Sequence, residues 1–339
     1  MGQTWSAPQL GQIQGGKWVA FISGGYDENQ DNQPVVASDT KGRAVYVVDI
    51  SNGSLIWSYS NAKNSNMKYC IPSDIARVDT NGDAYIDRLY VGDTGGQVWR
   101  FDIGDPDTSS WDAKVTILFD ANKGQSLKRK IFYPPDVTLE KGNFEMIFLG
   151  TGDREHPKDT TKVDRLYAIK DKNPSSPLSE SDLVDVTQDL LQEGTDSQKT
   201  STLNALQTQS GWFIQLNQNL GEKCLSNSVL FYGDIYYTTF TPVFGNPSDP
   251  CFLDQGIARI YALNYQTGDA VFNLDGVGTL SDLKRSDRSE EIGTSIPSGV
   301  IVTFIGGTAV AYGGVGGGVY RPPLPITKTI IPISWRIVF

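Results

Sequence analysis

The sequence is poor in the side chains on which most catalytic and metal centres depend. Its 339 residues contain one histidine, three cysteines and three methionines. A single histidine excludes zinc sites built on several histidines, and it leaves any Ser-His-Asp triad dependent on His156 alone. His156 lies in the turn-forming stretch 150–157, where a structural turn with an Asp-Arg ion pair is the simpler interpretation. The Gly-rich stretches 92–96 and 313–318 are not followed by Lys-Ser/Thr, so neither is a P-loop. We therefore expect a protein that is not an enzyme.

Long hydrophobic runs and excess positive charge are also missing. No apolar run reaches the ~18 residues that a membrane-spanning helix needs, and the nearest candidate, 299–307, is short and Gly-rich. The formal charge of −10 argues against nucleic acids and anionic membrane surfaces as partners. The first residues lack the charged and apolar regions of a signal peptide. The chain is thus expected to be either cytosolic or a fragment of a longer exported protein, and monomeric.

The sequence is rich in glycine, proline and tyrosine. This composition favours a turn-rich, all-β fold. One short sequence motif recurs along the chain. It consists of a basic residue, one or two apolar residues and a tyrosine, followed by an apolar strand. The tyrosines are Tyr46, Tyr90, Tyr167 and Tyr261, about 44, 77 and 94 residues apart. The first spacing is typical of one four-stranded propeller blade, and each later gap is long enough for two. These spacings predict an irregular β-propeller of about seven blades.

Further features agree with a single propeller domain over residues 1–339. Two of the repeats continue into hairpins, 49–57 and 264–272, whose closing aromatics Trp57 and Phe272 are expected to pack between neighbouring sheets. The polar segment 171–210 interrupts the pattern, and we expect an inter-blade insertion with one or two short helices, one of them over 179–191. The strand-like segment 330–339 is expected to pair with 18–22 and close the ring.

The most informative stretch is residues 79–87. Asp79, Asn81, Asp83 and Asp87 place side-chain oxygens at loop positions 1, 3, 5 and 9, and Tyr85 offers its backbone carbonyl at position 7. That pattern is typical of the start of an EF-hand-type calcium loop. Closely spaced carboxylates repel one another unless a cation neutralises them, and Ca²⁺ suits a flexible oxygen shell better than Mg²⁺ does. The sequence therefore predicts a Ca²⁺ site between two strands.

The loop also departs from an EF-hand. Position 6 is Ala84 where an EF-hand has glycine, and position 12 is Tyr90 where it has the bidentate glutamate. The alternative is a plain hairpin turn on Asn81-Gly82, although such a turn needs none of the three aspartates. A second acidic cluster, 27–31, repeats the start of the pattern but has Val35 at position 9. It is a weaker candidate for a second ion.

The cysteines allow one disulfide. Cys224 and Cys251 lie in a polar, loop-rich region and would close a loop of about 28 residues, which would stabilise the fold by roughly 3–4 kcal/mol. Cys70 is then left as a lone thiol. The alternative is that all three are unpaired small hydrophobic residues.

The calcium loop and the run that follows it, 87–102, resemble the C-terminal domain of the PilY/PilC family of type IV pilus biogenesis and tip-adhesin proteins. Residues 150–157, 238–242 and 321–325 are similar to the same family. The resemblance covers nearly the whole chain. It implies an irregular, quinoprotein-like propeller with one Ca²⁺ held by Asp79, Asn81, Asp83, Tyr85 and Asp87.

The resemblance also implies a function. Calcium occupancy would regulate pilus extension against retraction, and with it twitching motility and surface adhesion. The implied place is the pilus tip or the outer-membrane surface, reached through the periplasm, with minor pilins or the pilus tip complex as partners. A host or surface ligand would be bound by an N-terminal part that this chain lacks. The alternatives are a calcium-dependent quinoprotein (PQQ-type) dehydrogenase and a glycan-binding propeller.

Overall fold

Strand-forming stretches and turn glycines alternate along the chain, and β-strands make up most of its regular structure. The computed structural model describes residues 1–32, 38–126, 128–142, 144–245 and 255–325. Within these ranges the chain divides into two compact units, one of residues 1–143 and 173–179, the other of residues 144–172 and 180–325. The assignment of 1–339 to one propeller domain stays a prediction.

The first unit contains two antiparallel four-stranded sheets, ordered β1-β2-β3-β4 and β5-β6-β7-β8. Its strands are β1 (Gln9–Ile13), β2 (Lys17–Ser23), β3 (Ala44–Asp49), β4 (Leu55–Ser60), β5 (Ala76–Val78), β6 (Arg88–Gly92), β7 (Gln97–Asp102), β8 (Val115–Asp120) and β9 (Asp136–Glu140). Short 3₁₀ helices span Glu28–Asn32 and Thr108–Lys114.

The two sheets of the first unit pack through aromatic residues. Trp57 on β4 meets Phe101 on β7 edge to face, with ring centroids 6.1 Å apart, and it meets Trp111 at 5.5 Å. Its indole Nε1 donates to Asp112 Oδ1 at 2.8 Å. Edge-to-face pairs of this kind stabilise by about 0.5–1.5 kcal/mol beyond the area that they bury. The predicted role of Trp57 between neighbouring sheets is confirmed.

The second unit contains three further sheets. Four strands of the first are ordered β12-β13-β11-β10, the second is ordered β14-β16-β17-β18 with β15 also paired to β16, and the third is β19-β20-β21. The strands are β10 (Phe144–Gly150), β11 (Arg165–Asp171), β12 (Val184–Asp185), β13 (Gly211–Gln215), β14 (Lys223–Cys224), β15 (Val229–Phe231), β16 (Asp234–Pro242), β17 (Gly256–Asn264), β18 (Ser289–Gly293), β19 (Ile301–Ile305), β20 (Thr308–Val315) and β21 (Gly318–Tyr320). The helices are α1 (Asp196–Thr208) and 3₁₀ turns at Glu180–Asp182 and Arg285–Arg288.

The described residues contain fewer sheets than the predicted number of blades. The described residues form five sheets instead of about seven, and the four repeats fall on strands of four different sheets, β3, β6, β11 and β17. The gaps of 77 and 94 residues therefore each add one sheet and not two. The extra length lies in connections, such as the segment of 39 residues between Asp171 and Gly211 that precedes β13.

That connection also differs from its prediction in two ways. It joins β11 to β13, which pair antiparallel with Leu166 opposite Ile214, so in chain order the insertion lies between two strands of one sheet. The helix expected over 179–191 is absent, since β-branched Val184 pairs with Trp212 as part of β12. The α-helix begins later, at Thr195, whose side chain and Gln198 form a capping box.

Ring closure through 18–22 was also wrongly predicted. Those residues lie in β2, which pairs with β1 along one edge and β3 along the other, so no free edge remains for another strand. The segment 330–339 itself lies outside the described residues.

Candidate calcium loop

The predicted site lies in a hairpin between two strands, as expected. β5 and β6 pair antiparallel with Val78 opposite Arg88, and residues 79–87 form the connection between them. Asp87 N donates to Val78 O at 2.9 Å and closes the base of the loop. The loop therefore has a fixed base in the sheet and an exposed tip.

Asp79, at position 1, organises the tip. Its Oδ1 accepts the backbone N–H groups of Gly82 at 2.6 Å and Asn81 at 3.2 Å, and its Oδ2 accepts that of Ala84 at 2.8 Å. Hydrogen bonds from an aspartate to following amides favour a tight turn in this part of the chain. Asp79 thus folds the loop around its own carboxylate.

Positions 3 and 5 continue the pattern. Asn81 Oδ1 accepts from Asp83 N at 2.8 Å, and Asp83 Oδ1 accepts from Tyr85 N at 2.9 Å. Asp83 Oδ2 accepts from Gln14 Nε2 at 3.0 Å. The Tyr85 amide is the main cause of a lowered pKa at Asp83, and the Gln14 amide acts in the same direction. Asp83 is therefore ionised at neutral pH, as a calcium ligand must be.

Position 9 is also set by hydrogen bonds. Asp87 Oδ2 accepts from Thr80 N at 2.8 Å and from Thr80 Oγ1 at 2.7 Å. The Asp87 carbonyl accepts from Ile103 N at 2.7 Å. A side chain on Gly104 would place its Cβ 2.7 Å from Asp87 Oδ1, so the absence of a side chain there leaves room for the Asp87 carboxylate. These contacts hold Asp87 beside the first residues of the loop.

At position 6 the sequence departs from the calcium-loop pattern, but the backbone has the conformation that this pattern requires. Ala84 has φ +74° and Gly82 has φ +81°. EF-hand loops need a sharp turn at position 6, which is why glycine stands there. Here an alanine adopts the same left-handed conformation at a cost of roughly 1–2 kcal/mol. The alanine changes the residue type but not the shape of the turn.

The donor set fits a calcium ion in chemistry and in backbone shape. All five donors are oxygens, and hard divalent cations bind through oxygen. Among the residues that the structure describes, no three His, Cys, Asp or Glu side chains lie close enough together to hold a metal. The carboxylates of Asp79, Asp83 and Asp87 face amide and hydroxyl donors instead. In an ion-bound loop these three carboxylates would lie around one point. Tyr90, at position 12, is fully buried in β6 and leaves the bidentate position without a ligand.

A groove of about 430 Å³ adjoins the loop within the first unit. Its lining includes Asp79 and Ile86 of the loop, Gln9 of β1 and Arg77 of β5. Arg77 Nη1 donates to Gln9 Oε1 at 2.5 Å, so the two strands are joined across the groove floor. The groove therefore shares a wall with the predicted calcium site.

The run 87–102, which carried the family resemblance, contains two buried charged side chains, Asp93 and Arg100. Asp93 and Trp99 are both fully buried. Burial raises the pKa of Asp93 to about 7, although hydrogen bonds from Gln97, Trp99 and Gly95 act to lower it. Arg100 Nη2 lies 2.8 Å from Asp102 Oδ2. These residues support the sheet that carries the calcium loop.

The other candidate residues have structural roles or stay predictions. Asp27 is fully buried, and its oxygens accept from the backbone of Asn29, Thr40 and Lys41, so the acidic cluster 27–31 starts a 3₁₀ helix. His156 Nδ1 lies 3.0 Å from Asp153 Oδ2 within its turn.

The disulfide is a separate case. Cys224 is buried, and its Sγ lies 3.4 Å from Ser226 O. Cys251 lies outside the described residues. The Cys224–Cys251 bond therefore stays a prediction.

Sequence reasoning missed Gln14. It reaches Asp83 from the turn between β1 and β2, 69 residues earlier in the chain. No local pattern marks it, because a glutamine after a strand is common on protein surfaces. Only the pairing of the strands brings it to the loop.

Comparison with known proteins identifies the fold and the family of this chain. The solved structure of the Pseudomonas aeruginosa PilY1 C-terminal domain superposes with a TM-score of 0.62 over 96% of this chain and 73% of that one, at 17% identity. The fold is therefore all-β and propeller-like. The family model described as the PilY1 beta-propeller domain matches residues 1–206, and the chain belongs to that family.

Curated relatives agree with this assignment. A type IV pilus biogenesis factor PilY1 homolog from Xylella fastidiosa is 24% identical over 318 residues, which cover 85% of this chain and 20% of that protein. Type IV pilus biogenesis factor PilY1 of Pseudomonas aeruginosa PAO1 is 22% identical over 363 residues, 92% of this chain and 30% of that protein. The chain thus spans less than a third of these relatives. No helix among its described residues is long and apolar enough to cross a membrane.

Proposed function

We propose that this chain is the calcium-binding propeller of a type IV pilus biogenesis factor, in which calcium occupancy regulates pilus extension against retraction. The observation that carries the proposal is the loop backbone, in which Ala84 adopts the left-handed conformation that calcium loops have at position 6. Membership of the PilY1 family supports the connection to the pilus. The proposed role is regulatory binding, without catalysis.

The proposed ligands are the side chains of Asp79, Asn81, Asp83 and Asp87 and the carbonyl of Tyr85. Asp79 keeps the turn closed through amide hydrogen bonds, and Asp83 is held ionised. Bound Ca²⁺ would neutralise the three carboxylates. Without the position-12 glutamate, we expect a dissociation constant of roughly 10⁻⁶ to 10⁻³ M. The weaker part of that range, roughly 10⁻⁴ to 10⁻³ M, is typical of calcium sites outside the cell.

The same proposal implies a cellular location and binding partners for the parent protein. We propose that the parent protein acts at the pilus tip or outer-membrane surface and contacts minor pilins there, with effects on twitching motility and surface adhesion. The named relatives are pilus biogenesis factors, and this chain covers only part of their length. A contact with a host or surface ligand is proposed for the rest of the parent protein.

Isothermal titration of the isolated chain with Ca²⁺ tests the site directly. Wild type should release or absorb heat with one-site stoichiometry, and Asp83→Ala should not. Asp282→Ala is the matched control, because Asp282 is exposed and its carboxylate lies 3.5 Å from Lys284 Nζ, far along the chain from the loop. No heat and no melting shift of wild type with millimolar Ca²⁺ would defeat the site.

The regulatory part needs the full-length parent protein in cells that make pili. Asp83→Ala should alter pilus number or twitching. Asp83→Lys places an ammonium among the remaining carboxylates and should alter them less. Unchanged pili in Asp83→Ala cells, with calcium binding lost in vitro, would reject regulation while leaving the site intact.

A further inference from the structure

The turn between β1 and β2 packs directly against the calcium loop. Ile86 N, at loop position 8, donates to Gln12 O at 2.8 Å. The Ile86 side chain lies so close to Gly11 that a Cβ there would approach Ile86 Cγ1 to 2.7 Å. The backbone contact and the close packing fix the position of the β1–β2 hairpin relative to the base of the loop.

Gln14 adds a side-chain contact at the tip of the loop. Its Nε2 donates to Asp83 Oδ2 at 3.0 Å. Gly15 and Gly16 follow with φ +92° and +78°, a left-handed pair that few other residues adopt, and Gly16 N donates to Ile13 O at 3.0 Å. The glycine pair makes the tight turn that directs Gln14 toward the loop.

Asp83 is the residue at which an orienting contact matters most. It occupies the middle of the five proposed ligands, and its other oxygen already accepts from Tyr85 N. Ligating carboxylates are commonly held by outer hydrogen bonds, whose loss costs about 10- to 100-fold in metal affinity. Gln14 is placed to be such a partner, because its amide N–H fixes one oxygen and limits rotation of the carboxylate.

We propose that Gln14 is a positioning residue for the calcium loop, which orients Asp83 and couples the β1–β2 hairpin to calcium occupancy. This inference rests on the proposed calcium site. In the proposed bound state Gln14 keeps its hydrogen bond to Asp83 Oδ2, so calcium binding holds the hairpin turn together with the loop. Strand β1 also carries Gln9 into the adjoining groove, so the hairpin links the loop to a neighbouring surface.

The test compares Gln14→Met with Gln12→Met. Methionine has about the length of glutamine but no N–H donor. Gln12 lies two residues away in the same hairpin, and its Nε2 donates to Gly16 O and not to the loop. By titration calorimetry, Gln14→Met should bind Ca²⁺ about 10- to 100-fold more weakly than wild type. Gln12→Met should bind as wild type does.

Hydrogen exchange of the hairpin amides is the second readout. Calcium should slow exchange at residues 11–17 in wild type and in Gln12→Met, and much less in Gln14→Met at calcium concentrations that saturate it. Equal or tighter binding by Gln14→Met would overturn the positioning role but not the site. Equal exchange protection in the two variants would overturn the coupling. Absence of calcium binding in wild type would overturn the proposed function and this inference together.

Discussion

Trp99 donates its indole Nε1–H to Asp93 Oδ2 at 2.8 Å, and both residues are fully buried. The other Asp93 oxygen accepts from Gly95 N and Gln97 N, each at 2.9 Å. One buried carboxylate thus holds the turn between β6 and β7 and anchors the tryptophan at the centre of the first unit.

Removal of the indole donor should destabilise the fold. Trp99→Phe replaces the indole with a smaller ring and leaves a buried Asp93 oxygen without its partner, and the lost hydrogen bond alone should cost about 1–3 kcal/mol in the free energy of unfolding. Urea denaturation measures the change. Trp5→Phe is the control, since Trp5 is 40% exposed. A loss no larger for Trp99→Phe than for Trp5→Phe would contradict the role of the bond.

Asp93 should also make stability fall as pH rises. Burial raises its pKa from 3.8 to about 7, so its stabilising contribution is complete below the unfolded value and is lost as pH rises through 7. The free energy of unfolding should fall between roughly pH 4 and pH 7 by at most ~4 kcal/mol from this group. Asp93→Asn cannot ionise and should flatten the pH profile. Parallel profiles for the two proteins would refute the assignment.

The second unit contains a buried ion pair. Arg288 Nη2 lies 3.2 Å from Asp189 Oδ1, and their side chains are 3% and 0% exposed. Arg288→Met should cost about 3–5 kcal/mol, because it leaves a buried carboxylate without its counter-charge. Arg285→Met is the control, since Arg285 makes exposed hydrogen bonds to Gln188 and Asn217. Thermal denaturation of the two variants should differ clearly, and equal melting temperatures would count against the pair.

Glycine at position 84 should stabilise the calcium loop. Ala84 has φ +74°, where a Cβ is strained, so Ala84→Gly should raise stability by about 1 kcal/mol. Ala76→Gly, in the adjacent strand β5, should instead lower stability by roughly 0.5–1 kcal/mol. Chemical denaturation without calcium separates the two. A loss of stability in Ala84→Gly would show that the left-handed turn is not strained.

Chelation should lower the melting temperature without unfolding the chain. The loop lies at the end of one hairpin, whereas the hydrophobic cores are built from strands of several sheets. At a calcium concentration one hundred times the dissociation constant, the linked stabilisation is about 2.7 kcal/mol. Scanning calorimetry with Ca²⁺ and with EDTA measures it. Loss of the β-type circular dichroism on chelation at room temperature would contradict this prediction.

The sequence by itself determined the features that depend on neighbouring residues. The hairpin 49–57 and the loop 79–87 between two strands both formed as predicted, and the oxygen donors of the loop lie within nine residues. Such turns are specified locally, because aspartate and asparagine side chains bond to amides two to five positions ahead. The family resemblance, which rests on these local motifs, is confirmed.

Only the tertiary structure decided which strands share a sheet and which distant side chains meet. Spacing alone could not tell that the segment before β13 returns to the sheet of β11, so the described residues form fewer sheets than the predicted number of blades, and the insertion joins two strands of one sheet. Gln14 meets Asp83 across 69 residues. That contact depends on how β1 and β2 pair and where their turn points, and strand pairing is a long-range choice that local residue types leave open.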